Sequence, residues 1–393
     1  MGGSQSACAE LHPSQLRIPE PRFVLASDLD FTMVEHSDEK HSSLLAFNNT
    51  WISKFRNDSL LIFSTGRSPT LYWELQAAVP LLTPDILVCS VGTEIMHRND
   101  DGFSPDKEWA AKLDDGWNRS VAMEMDKYFD ALTLQKESEL RPHKVSFNIS
   151  VTGDEAEEVI SDLRNRLSRR GMKAKVIYSG GADVDVLPEG AGKGKALEYL
   201  LEKLRTSNQF PPGGVQVNGD SGNDIELFQV PGVKGCMVAN AHPELVEWVD
   251  ENKTDEIFKA TKNCAAGILE ALHHFGSIPE PDKLSEVADF VLKTCCGSPS
   301  DLESAILDDF ACIGADGKIH KGKAGVPKLY VSEELSWIDD LAIGRVGENF
   351  DLSFQSWRGC GNRTGMYVSG FIVPTEGGLR WKSMHMTSIS VNE

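Results

Sequence analysis

Asp28 and Asp30 stand two residues apart at the end of an apolar run, Phe23-Val-Leu-Ala-Ser27. In extended backbone, residues two apart share a face. Two carboxylates held together in a buried setting repel unless a cation lies between them or they share a proton. A strand that ends in a polar turn would give the same letters, so the rest of the chain must decide. Three further clusters bear on it. Thr65-Gly66 follows a second apolar run, with Gly66 letting the backbone approach a ligand. Lys193 lies between Gly192 and Gly194 at the start of a helical pattern. Asn218-Gly-Asp220-Ser-Gly-Asn223-Asp224 places two more aspartates four residues apart, one ending a strand and one opening a helix. Each alone could be a cap, a turn or a solvated lysine. Together, in this order, they point to one charged site.

The elements that must position these residues can be read from periodicity. Phe23–Ala26, 60–63 and 86–91 read as buried strands. Between them, Leu44, Leu45, Trp51, Ile52 and Phe55 mark one helical face, and Pro69 opens a second helix. Strand, helix, strand, helix, strand at this spacing predicts a parallel sheet covered on both faces. All four clusters then fall at strand ends, where open α/β sheets place their sites. From about 108 to 187 the character changes to an α+β insertion. It comprises acidic helical sequence, a strand over 144–151, a helix carrying Val159, Ile160, Leu163 and Leu167 inward and stopped by Gly171, and strands over 175–178 and 184–187. The core pattern resumes at Lys193 with Ala196, Leu197, Leu200, Leu201 and Leu204 inward, then strands at 215–217 and 236–238 and a closing helix over 265–275. A linker, 277–283, leads to a C-terminal piece that reads as helices over 284–292 and 301–310 followed by a long antiparallel run. The expected division is a flexible tail over 1–21, a core over 22–107 and 188–276, the insertion over 108–187 and a C-terminal domain over 284–393.

Composition narrows the class. The net charge of −20, from 59 acidic against 39 Lys plus Arg residues, argues against a nucleic-acid or anionic-membrane surface and favours a site that carries a divalent metal. The eight cysteines show no C-x-x-C spacing; Cys89 and Cys236 sit in apolar strand-like runs, and Cys295-Cys296 reads as two reduced thiols at a helix end. With no secretory apolar segment and no run long enough to span a bilayer, a cytoplasmic setting is expected. Met1-Gly-Gly-Ser-Gln-Ser6 fits a myristoylation pattern with Cys8 nearby, but an unanchored tail is the favoured reading. Asn148-Ile-Ser is read as a chance sequon.

The four clusters resemble the motifs of the haloacid-dehalogenase-like phosphatase superfamily: Asp28-Leu-Asp30-Phe-Thr32, Thr65, Lys193 and Gly219-Asp220-Ser-Gly-Asn223-Asp224. The segments Ser64-Thr-Gly-Arg-Ser-Pro-Thr-Leu-Tyr72, Thr83-Pro-Asp-Ile86, Ser90-Val-Gly-Thr-Glu-Ile95 and Arg141-Pro-His-Lys-Val-Ser-Phe147 narrow the likeness to plant-type sucrose-phosphate phosphatases. Trp337-Ile-Asp-Asp340, Phe354-Gln-Ser-Trp357 and Trp381-Lys-Ser-Met-His385 extend it into the C-terminal piece. One departure lies inside the first motif: Phe31 stands where family members often carry His or Asn.

The resemblance implies an α/β fold, a Rossmann-like parallel core with an inserted α+β cap and a C-terminal NTF2-like α+β domain. It implies a Mg2+-dependent hydrolysis of sucrose 6-phosphate through an aspartyl-phosphate. In that scheme Asp28 is the nucleophile and Asp30 the acid and base. Thr65 and Gly66 hold phosphate, Lys193 offsets charge, and Asp28, the Asp30 carbonyl, Asp220 and Asp224 serve the metal, with Asn223 beside the phosphate. Arg67 has two open readings, a phosphate contact or a salt bridge that pins the loop. Lys144 and Asp183 are candidates for sugar hydroxyls, or structural. His385 and Cys360 are expected to be packing or surface residues. The expected partners are a small sugar phosphate, a second copy through the C-terminal sheet, and a sucrose-phosphate synthase. The alternatives are a phosphatase of mannosyl-3-phosphoglycerate or glucosylglycerol phosphate, or a non-catalytic partner of the synthase.

Overall fold

The computed structural model describes residues 18–179, 182–296, 299–315, 317–322, 336–359 and 364–389. Gly2, Cys8 and Cys360 lie outside the described residues, as does the tail through residue 17. The chain forms two compact units. One comprises Met1–Thr32, Asp58–Leu71 and Pro84–Ala260; the other comprises Met33–Asn57, Tyr72–Thr83 and Thr261–Glu393.

In chain order the elements through the first unit's end are β1 (Phe23–Ser27), α1 (Ser42–Lys54), β2 (Ser59–Ser64), α2 (Pro69–Ala78), β3 (Ile86–Cys89), β4 (Glu94–Asn99), β5 (Gly102–Pro105), α3 (Lys107–Leu113) and α4 (Arg119–Met123). There follow β6 (Leu132–Leu134), β7 (Val145–Ile149), α5 (Asp154–Arg169), β8 (Ala174–Ser179) and β9 (Asp183–Pro188). Then come α6 (Lys193–Thr206), β10 (Val215–Gly219), α7 (Ile225–Phe228), β11 (Val233–Met237), α8 (Pro243–Glu251) and β12 (Ile257–Lys259).

The first unit is built on an eight-stranded sheet of order β12-β11-β10-β1-β2-β3-β4-β5. Its strands run parallel from β12 to β3. β1 is central and every residue in it is buried, which is why it reads as a continuous apolar run rather than an alternating one. β4 and β5, for which the sequence pattern predicts no strand, are antiparallel. The chain reverses between β3 and β4 through Ser90, Val91 and Gly92, all with positive φ, and a tight reversal of this kind yields an antiparallel neighbour. A hydrophobic core including Val24, Leu60, Val88, Leu197, Leu201 and Val217 supports the sheet.

The insertion has its own sheet, β6-β7-β9-β8, and its own core. Phe147, Val184 and Val186 there pack with Ile160, Leu163 and Leu167 of α5. Ala156 and Ile160 are buried while Val159 is only half-buried, so the inward face of α5 is turned slightly from the expected one.

The second unit continues with α9 (Cys264–His274), α10 (Lys283–Cys296), α11 (Pro299–Ala305), β13 (Ile306–Ile313), β14 (Ile319–Lys321), β15 (Ser336–Val346), β16 (Asn349–Arg358), β17 (Thr364–Thr375) and β18 (Gly378–Ile389). Its sheet has the order β14-β13-β18-β17-β16-β15. The expected helix over 301–310 stops at Ala305, and Ile306–Ile313 is a strand paired parallel to β18. Phe310 and Cys312 alternate inward there, and sheet pairing overrides a locally ambiguous apolar spacing. α10 lies on this sheet, with Trp381 Nε1 donating to Thr294 Oγ1 at 3.0 Å. Cys295 and Cys296 close α10 as free thiols, and Cys89 and Cys236 are buried.

Candidate active site

Three adjacent strands deliver the site. β10, β1 and β2 lie side by side, and Asp220, Asp28 and Thr65 are the residues that follow their last positions. The Asp28 amide donates to the Asn218 carbonyl at 3.1 Å, which ties the start of one motif to the end of another. Leu29 is fully buried while Asp28 and Asp30 both line a cleft of about 430 Å3, so the alternation of faces survives past the strand end.

Each aspartate has its own cation. Lys193, the first residue of α6, is buried and places Nζ 2.9 Å from Asp28 Oδ1 and 2.7 Å from Asp224 Oδ1. Burial opposes the lysine charge, but Asp224 and Asp28 outweigh it and hold the ammonium pKa above its ordinary value. Asp30 is bound bidentately by Arg67, through Nε and Nη2 at 2.7 Å each. Arg67 thus makes a salt bridge to Asp30 and also lines the cleft.

Asp224 is spent on holding its own loop. Besides the Lys193 contact, its Oδ2 accepts from the amides of Asp220 and Ser221, both at 3.1 Å, and from Ser221 Oγ at 3.3 Å. This closeness requires Gly219, because a Cβ there would fall 2.4 Å from Asp224 Cβ. Asp220 accepts from Thr32 Oγ1 at 2.7 Å, and its other oxygen faces His242 Nε2 at 3.8 Å. Burial, with Asp224 adding to it, raises the Asp220 pKa to about 6. Burial likewise raises Asp28 well above the usual carboxylate range, against the pull of Lys193.

Carboxylate oxygens of Asp28, Asp220 and Asp224 lie within 4.8 Å of one another. Three buried carboxylates therefore stand against one buried ammonium, a set short of positive charge. Such an oxygen-only set fits a hard divalent cation such as Mg2+.

Thr65 is buried and its Oγ1 accepts from the Arg67 amide at 3.1 Å, so it shapes the turn. That turn is clamped to the reversal after β3: the Val91 amide donates to the Thr65 carbonyl and the Ser90 amide to the Arg67 carbonyl. Gly66 and Asn223 line the cleft. From the insertion, Lys144 reaches Gly66 O at 3.3 Å, Glu139 at 3.0 Å and Asp185 at 3.7 Å. Asp183 lines the same wall and accepts from Gln135 Nε2 at 2.7 Å. All the sequence-identified residues are therefore in or directly behind one cleft.

Sequence reasoning missed Gln135, Glu139, Asp185, Ser221, His242 and Glu244, which also line it. It gave no role to Thr32 or to the bidentate Arg141–Glu94 pair, at 2.7 and 2.8 Å, which joins the insertion to the sheet. Partners 47 residues apart leave no periodic trace. His242 had a usable signal, since it directly precedes Pro243 at the start of α8.

An α/β core on a largely parallel sheet, with three of these motifs directly after its strands and Lys193 opening α6, defines a haloacid-dehalogenase-like phosphatase. Residues 21–276 match the Sucrose-6F-phosphate phosphohydrolase family, and the chain belongs to it. Sucrose-phosphatase 1 of Nicotiana tabacum is 39% identical, over 93% of this chain and 95% of that one. Probable sucrose-phosphatase 2 of Arabidopsis thaliana is 48% identical over 69% of this chain and 63% of its own length. Among solved structures, the sucrose-phosphatase of Synechocystis, in complex with sucrose and phosphate, superposes with a TM-score of 0.57 at 35% identity, covering 65% of this chain and 98% of that one.

Proposed function

We propose that the chain is a Mg2+-dependent phosphatase that hydrolyses sucrose 6-phosphate to sucrose and phosphate. The observation that carries this is Asp28. One of its oxygens is held by Lys193, and its other oxygen has no donor among the described residues, in a cleft whose opposite wall is polar. The family's activity supplies the substrate.

Asp28 attacks phosphorus, forming the aspartyl-phosphate bond as the bond to the sugar oxygen breaks. Asp30, entering the reaction protonated with one oxygen released from Arg67, gives that proton to the leaving sugar oxygen, then takes one from the water that cleaves the acyl phosphate. Arg67 keeps Asp30 in place until the leaving group arrives. Lys193 sets the Asp28 rotamer and balances charge gathering on the phosphoryl oxygens. The amides around Gly66, with Thr65 fixing their turn, and Asn223 take phosphate oxygens. Asp28, Asp220 and the Asp30 carbonyl would hold Mg2+, with Asp224 behind them orienting the loop. Bound there, Mg2+ offsets the carboxylate charge and polarises the phosphoryl group. Lys144 and Asp183 reach for sugar hydroxyls from the cap.

Within this reading, residues 22–107 and 188–276 are the catalytic core, 108–187 its cap and 277–283 a linker. Residues 284–393 are an NTF2-like domain, a reading supported by a six-stranded sheet carrying α10. Pairing of two copies through that sheet is tested by light scattering of the full chain, and a monomer at all concentrations removes it. Capture of a purified sucrose-phosphate synthase tests the other partner. Free thiols at all six described cysteines support a cytosolic setting.

The main test is phosphate release from a panel of sugar phosphates with and without Mg2+, with Asp28→Asn as control. A preference for mannosyl-3-phosphoglycerate or glucosylglycerol phosphate would sink the substrate reading. Equal inactivity of wild type and variant on every substrate would sink the catalytic one.

A further inference from the structure

Phe31 follows the proposed proton shuttle and breaks two rules at once. Its φ is 58°, a left-handed conformation in which the Cβ crowds the following carbonyl. Gly, Asn, Asp and His tolerate it, whereas a bulky side chain there is an outlier. The ring is also 49% exposed, so burial does not offset the strain. Val91, the other strained residue lining the cleft, has 3% exposure and an amide committed to Thr65. Backbone structure accounts for Val91. At Phe31 the bend is held by Asn240, whose Nδ2 donates to the Phe31 carbonyl at 2.6 Å.

The ring's surroundings suggest a use. Among the described residues lining the cleft, Phe31 supplies the one apolar ring; the facing wall is Gln135, Glu139, Lys144, Asp183 and Asp185. Such amide, carboxylate and ammonium groups match the hydroxyl edge of a sugar. A sugar also has a face of C–H bonds, whose slight positive charge suits the negative face of an aromatic ring. Because Asp30 protonates the leaving oxygen, the sugar ring beside its neighbour is the one that bore the phosphate.

We propose that Phe31 is a sugar-binding residue whose ring packs on the apolar face of the phosphate-bearing sugar ring. The inference rests on the sugar-phosphatase reading above. Strain persists at such a position where function requires it.

The test uses the full chain with Mg2+ and the variants Phe31→Asn, Phe31→His and Phe31→Tyr. KM is measured for sucrose 6-phosphate and fructose 6-phosphate, together with inhibition by inorganic phosphate and the melting temperature. Phe31→Asn should raise KM for both sugars about 3- to 10-fold and leave phosphate inhibition unchanged. Relief of strain should raise its melting temperature by about 2–4 °C. Phe31→Tyr should keep the wild-type KM, and Phe31→His should fall between. An unchanged KM in Phe31→Asn, or a matching loss of phosphate inhibition, overturns the proposal. A wild type that ignores sucrose 6-phosphate but cleaves fructose 6-phosphate sinks the substrate reading alone, and the KM comparison on fructose 6-phosphate still decides Phe31.

Discussion

The two units each bury a cluster of charge, and the clusters are built on opposite principles. In the second unit, Arg56, only 3% exposed, donates to Asp340 Oδ1 at 2.6 Å, and Gln355 takes Oδ2 at 3.0 Å. Asp339 accepts from the Asp340 amide at 2.8 Å on one oxygen, and from the Thr83 amide and hydroxyl at 2.9 and 2.6 Å on the other. All four carboxylate oxygens are used. In the first unit, Asp28 and Asp220 each keep one oxygen free of a close protein donor. A fully paired cluster fixes structure. One left short of positive charge is held ready for something else, in the proposed function a cation and a phosphoryl group.

The contrast is sharpest in what each cluster loses on mutation. Asp28→Asn should reduce phosphate release by about four orders of magnitude or more, as removal of a nucleophile does, while the folded chain survives because Lys193 keeps Asp224. A variant retaining a tenth of the activity would return the nucleophile's role to another group. Arg56→Ala should instead leave kcat near wild type and destabilise the chain by about 3 kcal/mol, since it removes the buried cation of the Arg56–Asp340 pair. Replacing both partners, as Arg56→Met with Asp340→Leu, should recover much of that loss. Urea unfolding of the three chains measures it. A double variant no better than the single one would show that the pair itself, and not an abandoned charge, carries the effect.

How far the sequence revealed these two clusters follows from how each is encoded. The proposed catalytic one was locally legible because Asp28, Thr65 and Asp220 each follow a buried parallel strand, and Lys193 sits at a Gly-flanked helix start. Local pattern and site coincide there. The second cluster joins Arg56, Thr83, Asp339, Asp340 and Gln355, whose separations of 256 and 284 residues follow no period. Its two aspartates were visible in Trp337-Ile-Asp-Asp340, but not what they hold. Asp340 has a φ of 57° beside a break in the β15–β16 register, and a bulge of that kind re-aims side chains without marking the sequence. The same limit explains β4, β5 and β13. Each is decided by which neighbour it pairs with, and pairing is a tertiary fact. The cap wall shows the intermediate case, since Lys144 and Asp183 could be named while Glu139, Asp185 and Gln135 waited on the fold of β7 and β9.

The unpaired cluster also predicts a pH signature in metal-free protein. The Asp220 pKa is about 6 when folded against an ordinary 3.8, so the folded state binds its proton more tightly than the unfolded state. Its ionisation therefore costs nothing below about pH 4, grows between pH 4 and 6 and is constant above. With EDTA present, Asp220→Asn should be more stable than wild type at pH 7.5, by on the order of 2 kcal/mol. The two should converge near pH 4. Adding Mg2+ should raise the melting temperature of wild type at pH 7.5 and not that of the variant. A difference independent of pH would mean that the carboxylate is compensated after all, and the contrast between the clusters would fail.

The smallest expected effect concerns polar contacts of the intermediate kind, paired but half-exposed, between cap and core. Arg141 grips Glu94 bidentately, and Lys175 meets Glu226 Oε1 at 2.5 Å. Both cations come from the cap segment and both anions from the sheet side, so these pairs can hold the cap shut without contributing to either core. Half-exposed pairs contribute about 1 kcal/mol or less, and that energy sits on the closing equilibrium rather than on unfolding. Arg141→Ala should therefore leave the melting temperature within about 2 °C and raise KM by about two- to fivefold at low ionic strength. Because salt screens exposed charges, the gap from wild type should narrow as NaCl approaches about 1 M, where the screening length is about 3 Å. Faster product release through an easier opening should keep kcat at or above the wild-type value. If instead kcat falls with KM unchanged, Arg141 acts on the reacting groups and the pair belongs with the unpaired cluster.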